Sequence, residues 1–214
     1  MTIEPTTFPA GGGQVSGAWH HPPDGDTYLV LAHGAGGTMA TPSTVAYGEQ
    51  LSARGIGVVR FNFPYAETGK RSPGRAEPNE HCWREVADHV AERAGTLLLG
   101  GRSYGGRLAS HIVADGYPAA GLVFLAYPLH PPGKREQLRD EHLGRIKVPM
   151  LFLQGTRDPF ATPSLLEQVV AKLPAATLHP LEGGDHSHKV KGRPADEVIA
   201  ELVGATVAWW SEQR

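Results

Sequence analysis

The sequence predicts a single α/β domain over residues 1–214, with a mostly parallel central sheet and helices on both of its faces. Three observations carry that prediction. The chain has 214 residues, enough for one large core on a scale of about 150 residues per domain. Apolar residues make up 40% of it and charged residues 20%, which is the composition of a folded chain and not of a disordered one. Short apolar runs bounded by Gly, Pro or Asp alternate along the chain with segments of helical spacing, the pattern of βαβ units.

The elements follow in order. Within the first 26 residues the stretch 14–20 (QVSGAWH) alternates weakly and reads as an antiparallel edge strand or one hairpin arm. Buried strands are expected at 28–32, 56–61, 96–99, 121–127 and 149–153, because these runs lack the polar alternation of a half-solvated sheet. A further short strand is expected at 176–181. Helices fill the gaps at 43–54, 79–94, 105–115 and 163–173, and a terminal one runs from Pro194 to Trp210. The first of these follows Thr41 and Pro42, a cap residue and a first-turn proline, and stops before Gly55. The interval before the run at 149–153 has room for a loop and one short helix, so no large cap domain is expected and the substrate pocket should be open and shallow. Trp209 and Trp210 close the last helix, where one should face inward while an exposed neighbour offers a dimer contact.

Charge narrows the partners. Lys plus Arg number 20 and Asp plus Glu 22, a net charge of −2, which leaves no general field to collect nucleic acid or anionic lipid. No apolar run approaches the roughly 18–20 residues that span a bilayer. The start MTIEPTTFPAGGGQ has no basic region followed by an apolar stretch, and the expectation is a cytoplasmic protein. Cys82 is the single cysteine, which rules out an intrachain disulfide and a cysteine-based zinc cage. Beside Trp83 on a helical segment, it reads as buried packing.

The chemistry concentrates in a few loops. Gly101, Ser103 and Gly105 form a GxSxG string with an apolar strand before it and a helical segment after it. That strand, sharp turn and helix is the context in which such a serine is held above a sheet edge as a nucleophile; the competing reading is a Gly-rich turn with Ser103 as a helix cap. A serine hydroxyl needs a base and an orienting acid. Asp158, in GTRDPF after the strand at 149–153, supplies the acid, unless it is only a turn residue before Pro159. His186, in GGDHSH after the next strand, supplies the base; His188 is a rival for that role and Asp185 a weaker rival for the acid. The order Ser, Asp, His is that of α/β hydrolases, and all three loops lie beyond the carboxyl ends of parallel strands, where such sheets place their ligands.

An oxyanion formed by serine attack needs donors already aimed at it. The turn HGAGG at 33–37 follows the first buried strand, and the N–H of Ala35, with Gly36 as the alternative, is assigned as one donor. The N–H of Tyr104, next after the nucleophile, is assigned as the other. A dinucleotide turn is excluded, since its third glycine would fall at position 39, which is Met39. The histidine pairs His20 with His21 and His186 with His188 imply no third metal ligand, so neither metal nor cofactor is expected. Lys70, Arg71 and Arg75 in the 64–78 loop read as a solvated face, with contact to an acidic substrate group as the other reading, and Arg102 as a core ion-pair partner or a substrate contact.

Taken in order, HGAGG, RFNFPYAETGKR, GGRSYGGR, GTRDPF and GGDHS resemble the small, lidless α/β hydrolases grouped with dienelactone hydrolase. More narrowly they resemble the bacterial relatives of the hydrolase-like subunit of the nonspecific lethal chromatin complex. The resemblance runs from about residue 14 to 210 and implies the α/β-hydrolase fold, with Ser103, Asp158 and His186 as triad and Ala35 and Tyr104 as oxyanion donors. Dienelactone hydrolases use a cysteine nucleophile; Ser103 in its place favours hydrolysis of small carboxylic esters. A peptidase or acyl transferase, and a binding module with an idle triad, are the alternatives.

Overall fold

The computed structural model describes residues 3–214. Its frame is one eight-stranded sheet in the order β1-β2-β4-β3-β5-β6-β7-β8. The strands are β1 (Ile3–Ala10), β2 (Gly13–His20), β3 (Thr27–Ala32), β4 (Gly57–Phe61), β5 (Thr96–Arg102), β6 (Gly121–Leu125), β7 (Met150–Gly155) and β8 (Ala176–Leu181). From β4 to β8 every pairing is parallel, whereas β1 and β2 form a hairpin that joins β4 antiparallel. The helices are α1 (Pro42–Ser52), α2 (Pro64–Glu67), α3 (Glu77–Ala91), α4 (Tyr104–Ala114), α5 (Pro163–Val170) and α6 (Ala195–Ser211).

The apolar runs become strands covered on both faces because successive side chains alternate between two cores. Along β3, Leu29 and Leu31 enter the core under α1 and α6, with Tyr47, Leu51 and Leu202. Val30 and Ala32 enter the opposite core, with Trp83 of α3 and Leu108 of α4. Each fully buried apolar side chain contributes about 1.5–3 kcal/mol. One polar link crosses the first layer: the Tyr47 hydroxyl donates to Thr206 Oγ1 at 2.7 Å, and Thr206 in turn donates to the Leu202 carbonyl.

Some expectations are refined and others corrected. The stretch at 14–20 is the second arm of a hairpin whose first arm, β1, carries Pro5 and Pro9; an edge strand tolerates prolines that would break an interior ladder. The short α2 was not expected, and β5 runs on through Gly100 and Gly101 to Arg102. Thr41 stands at the N-cap of α1 but makes no side-chain cap bond, its hydroxyl donating instead to the Thr38 carbonyl. Trp209 and Trp210 are both buried, at 3% and 7% exposure, so neither is the exposed ring that could seed a dimer contact. Between β6 and β7 the chain forms loops and a single 3₁₀ turn, Leu143–Arg145, in place of a cap.

Candidate active site

Ser103 sits between β5 and α4 with φ 48° and ψ −111°, a strained conformation for a residue with a side chain. Its own N–H donates to the Leu125 carbonyl at 2.9 Å, and its side chain makes no cap bond with α4, which sets aside the helix-cap reading. The flanking glycines are required by space. A Cβ at Gly105 would lie 2.6 Å from the carbonyl oxygens of both Ala32 and His33, and one at Gly101 would lie 2.7 Å from that of Ala32.

The three side chains singled out from sequence meet at this edge. His186 Nε2 is 2.9 Å from Ser103 Oγ, and His186 Nδ1 is 2.7 Å from Asp158 Oδ2. An ionised carboxylate only accepts, so the proton resides on Nδ1 and the Nε2 lone pair faces the serine hydroxyl. Asp158 is buried and held by three donors: His186, the Gln154 side-chain amide at 2.6 Å, and the Phe160 N–H at 2.8 Å on its other oxygen. The Phe160 ring lies 4.3 Å from the His186 ring, centroid to centroid, and so limits its rotation. Gln154, Phe160 and His33 have no role assigned from sequence, although His33 opens HGAGG and Phe160 closes GTRDPF, because their roles arise from contacts between loops.

The acid and base loops are built against each other. Gly183 N–H donates to Thr156 Oγ1 at 2.8 Å, and Arg157 N–H to the Gly184 carbonyl at 2.8 Å. Asp185 accepts the N–H groups of Ser187 and Lys189 at 2.7 and 2.9 Å, so its carboxylate folds the base loop. His188, at φ 56°, is buried and directs Nε2 to the Leu153 carbonyl at 3.1 Å, away from Ser103. Burial, with the Arg102 charge adding to it, pushes the His188 pKa down to about 4, so the ring is neutral.

The 33–37 turn abuts the nucleophile: a Cβ on Gly34 would stand 3.6 Å from Ser103 Cβ. His33 fixes the turn from below, donating from Nδ1 to the Gly34 carbonyl at 2.8 Å and accepting the Phe63 N–H on Nε2 at 3.1 Å. Burial lowers its pKa, in keeping with this neutral tautomer. Ala35 and Gly36 are exposed, and among the described residues the N–H groups of Ala35 and Tyr104 donate to no acceptor. Lys70, Arg71 and Arg75 are exposed on the neighbouring loop. Arg102 forms no ion pair among the described residues; its Nη2 donates to the His186 carbonyl and so ties the nucleophile strand to the base loop.

The other expected features resolve simply. Cys82 is buried, and desolvation raises its thiol pKa to about 12. His20 accepts a hydrogen bond from Arg60 Nε at 2.7 Å, whereas His21 lies against Glu4 and Tyr28. Among the described residues no group of three or more His, Cys, Asp or Glu side chains is arranged to hold a metal. No described helix is long and apolar enough to cross a membrane.

This architecture is shared with solved hydrolases. A serine hydrolase without a lid from Xanthomonas campestris is 24% identical, with a TM-score of 0.74 over 97% of this chain and 94% of that one. Est1E from Butyrivibrio proteoclasticus is 12% identical with a TM-score of 0.75, over 97% of this chain and 99% of that one. Dienelactone hydrolase from Anabaena variabilis is 15% identical with a TM-score of 0.77, over 99% and 97% of the two chains. At such identities the likeness establishes the fold. A family model described as an alpha/beta hydrolase domain matches residues 25–211, and the chain belongs to that family.

Proposed function

We propose that the chain is a single-domain serine hydrolase that cleaves small carboxylic esters through an acyl-enzyme. The observation that carries this reading is the run of contacts from Asp158 Oδ2 to His186 at 2.7 Å and from His186 to Ser103 Oγ at 2.9 Å, at a strained strand-to-helix turn. In the proposed reaction Ser103 Oγ attacks the ester carbonyl while His186 Nε2 takes its proton, and Asp158 stabilises the imidazolium. The carbonyl oxygen, now negative, accepts from the N–H groups of Ala35 and Tyr104, each worth about 3–4 kcal/mol in the transition state. Collapse breaks the ester C–O bond, and His186 returns the proton to the departing alcohol. Water, deprotonated by the same ring, then releases the acid. The short connection between β6 and β7 supports an open site suited to small substrates. A lone, buried thiol also fits a cytoplasmic setting.

A fluorophosphonate probe followed by intact mass should add one adduct to the wild type and none to Ser103→Ala. Turnover of p-nitrophenyl acetate should fall by about 10⁴-fold or more in Ser103→Ala and His186→Ala, and by about 10⁴-fold in Asp158→Asn, whose amide favours the wrong imidazole tautomer. A fold hosts many functions, and the motifs also resemble relatives of a chromatin-complex subunit. A wild type that takes no label and turns over no ester would therefore leave a binding module, and cleavage of peptides but not esters a peptidase.

A further inference from the structure

Behind the base loop, on the α1 and α6 side of the sheet, lies a cavity of about 840 Å³. Ser103, Asp158 and His186 do not line it. Its size falls within the roughly 300–1,000 Å³ of small-molecule sites, and much of its wall is apolar, formed by Leu125, Val198, Ile199 and Leu202. The charged groups on it are Arg102, Lys189, Arg193 and Asp196. Arg193 is already paired with Glu201 at 2.7 Å, and Asp196 offsets one further positive charge. Counting the groups that line it, with Arg193 paired, one positive charge is in excess in a mostly apolar space, while Asp158 and Asp185 act on Arg102 from outside the lining.

Of the two lining cations without an ion pair among the described residues, Lys189 is exposed and Arg102 is half-buried. A guanidinium offers five N–H donors, and among the described residues Arg102 uses one, to the His186 carbonyl, with no ion pair. Half-buried, it forms part of the cavity wall. Burial lowers its pKa while Asp158 and Asp185 act in the opposite direction, so a guanidinium is being kept charged in a place that disfavours charge. A planar fork with free donors beside an apolar wall fits a carboxylate, whereas a dianionic phosphate would require more cations than are present.

We propose that this cavity binds a monocarboxylate with an apolar tail, the carboxylate on Arg102 and the tail against Leu125, Val198, Ile199 and Leu202. The site is separate from the proposed point of ester attack, although Arg102 links it to the loop that carries His186.

Isothermal titration calorimetry with octanoate, and with 1-octanol as the uncharged control, tests this on the full chain. Octanoate should bind the wild type about tenfold or more tightly than octanol, the worth of a charge-assisted hydrogen bond. Arg102→Gln should abolish that preference. Ile199→Trp, which fills the apolar end and leaves the guanidinium intact, should weaken octanoate about tenfold or more. Protein phosphonylated at Ser103 should bind octanoate as the wild type does. Equal affinity for octanoate and octanol, insensitivity to Ile199→Trp, or loss of binding on phosphonylation would each overturn the proposal. Calorimetry requires no turnover: a protein that takes no label at Ser103 fails as a hydrolase, yet the alcohol control and Ile199→Trp still decide whether the cavity is a site.

Discussion

Replacing Gly105 by Ala places a methyl group 2.6 Å from the carbonyl oxygens of Ala32 and His33, both main-chain atoms that cannot swing aside. Either the 33–37 turn or the first turn of α4 must move, and those two segments carry the proposed oxyanion donors. Overpacking of this kind costs about 1–3 kcal/mol, and a small displacement of preorganised donors costs more in rate than in stability. Gly105→Ala should therefore lower the urea midpoint modestly while reducing ester turnover by about 100-fold. Gly144, where a Cβ would meet nothing within 4 Å, serves as the control: Gly144→Ala should leave stability within about 0.5 kcal/mol and activity unchanged. Equal losses in the two variants would show that the crowding at Gly105 does not constrain the site.

At the scale of elements, β1 is anchored chiefly by one side chain. Phe8 is fully buried; its ring lies over Gly17, where a Cβ would stand 2.1 Å from Phe8 Cε2, and meets His89 of α3 at 5.4 Å and Trp19 at 6.3 Å. Most other residues of β1 are exposed, so little else anchors it. Phe8→Ala should cost about 3–5 kcal/mol. Hydrogen exchange should show β1 amides opening first while β3 and β5 stay protected, whereas uniform loss would mean that the hairpin unfolds only with the whole sheet. The same contrast explains which elements were legible in sequence. Strands β3 to β7 are buried on both faces and read as apolar runs. In β1 only Phe8 and Ala10 are buried, too few to set a period. The four residues of α2 are shorter than any helical repeat, and Gly100 and Gly101 hid the end of β5 because their strand state comes from pairing with β3 and β6. At the site, Ser103, Asp158 and His186 were legible because each sits in a short motif at a strand end. The supports were not: Gln154 is one more residue of a strand until Asp158 folds back onto it, and Arg102 reads as a core ion-pair partner or a substrate contact until its partner proves to be the His186 carbonyl.

For the molecule as a whole, buried histidines shape the response to acid, and three of them are shifted furthest. Burial is the largest cause in each case: it lowers His20 and His188 to about 4 and His142 to about 3. The contacts agree, since each ring is held neutral. His20 receives the Arg60 N–H on Nε2, so protonation there would set two cations against each other. His142 stacks on His111 at 3.8 Å with Ser110 at 2.7 Å from its Nε2, and the Arg107 and Arg145 charges act on it as well. His188 is buried beside Arg102 and His186, with Asp158 the opposing charge. In the unfolded chain such rings titrate near 6.5. Between that pH and their folded values the unfolded state binds the protons, so stability is complete above about 6.5 and is lost as the pH falls toward 4. Between pH 6.5 and pH 5 each group withdraws about 2 kcal/mol, which together is comparable with the total stability of about 5–15 kcal/mol of an ordinary domain. The urea midpoint should accordingly fall steeply from pH 7 to pH 5. In His188→Asn, whose side chain does not titrate and tolerates the positive φ of that position, the slope should decrease, because one of the proton sites is gone. A midpoint independent of pH over this range, or an unchanged slope in His188→Asn, would mean that these rings are not held neutral by the fold.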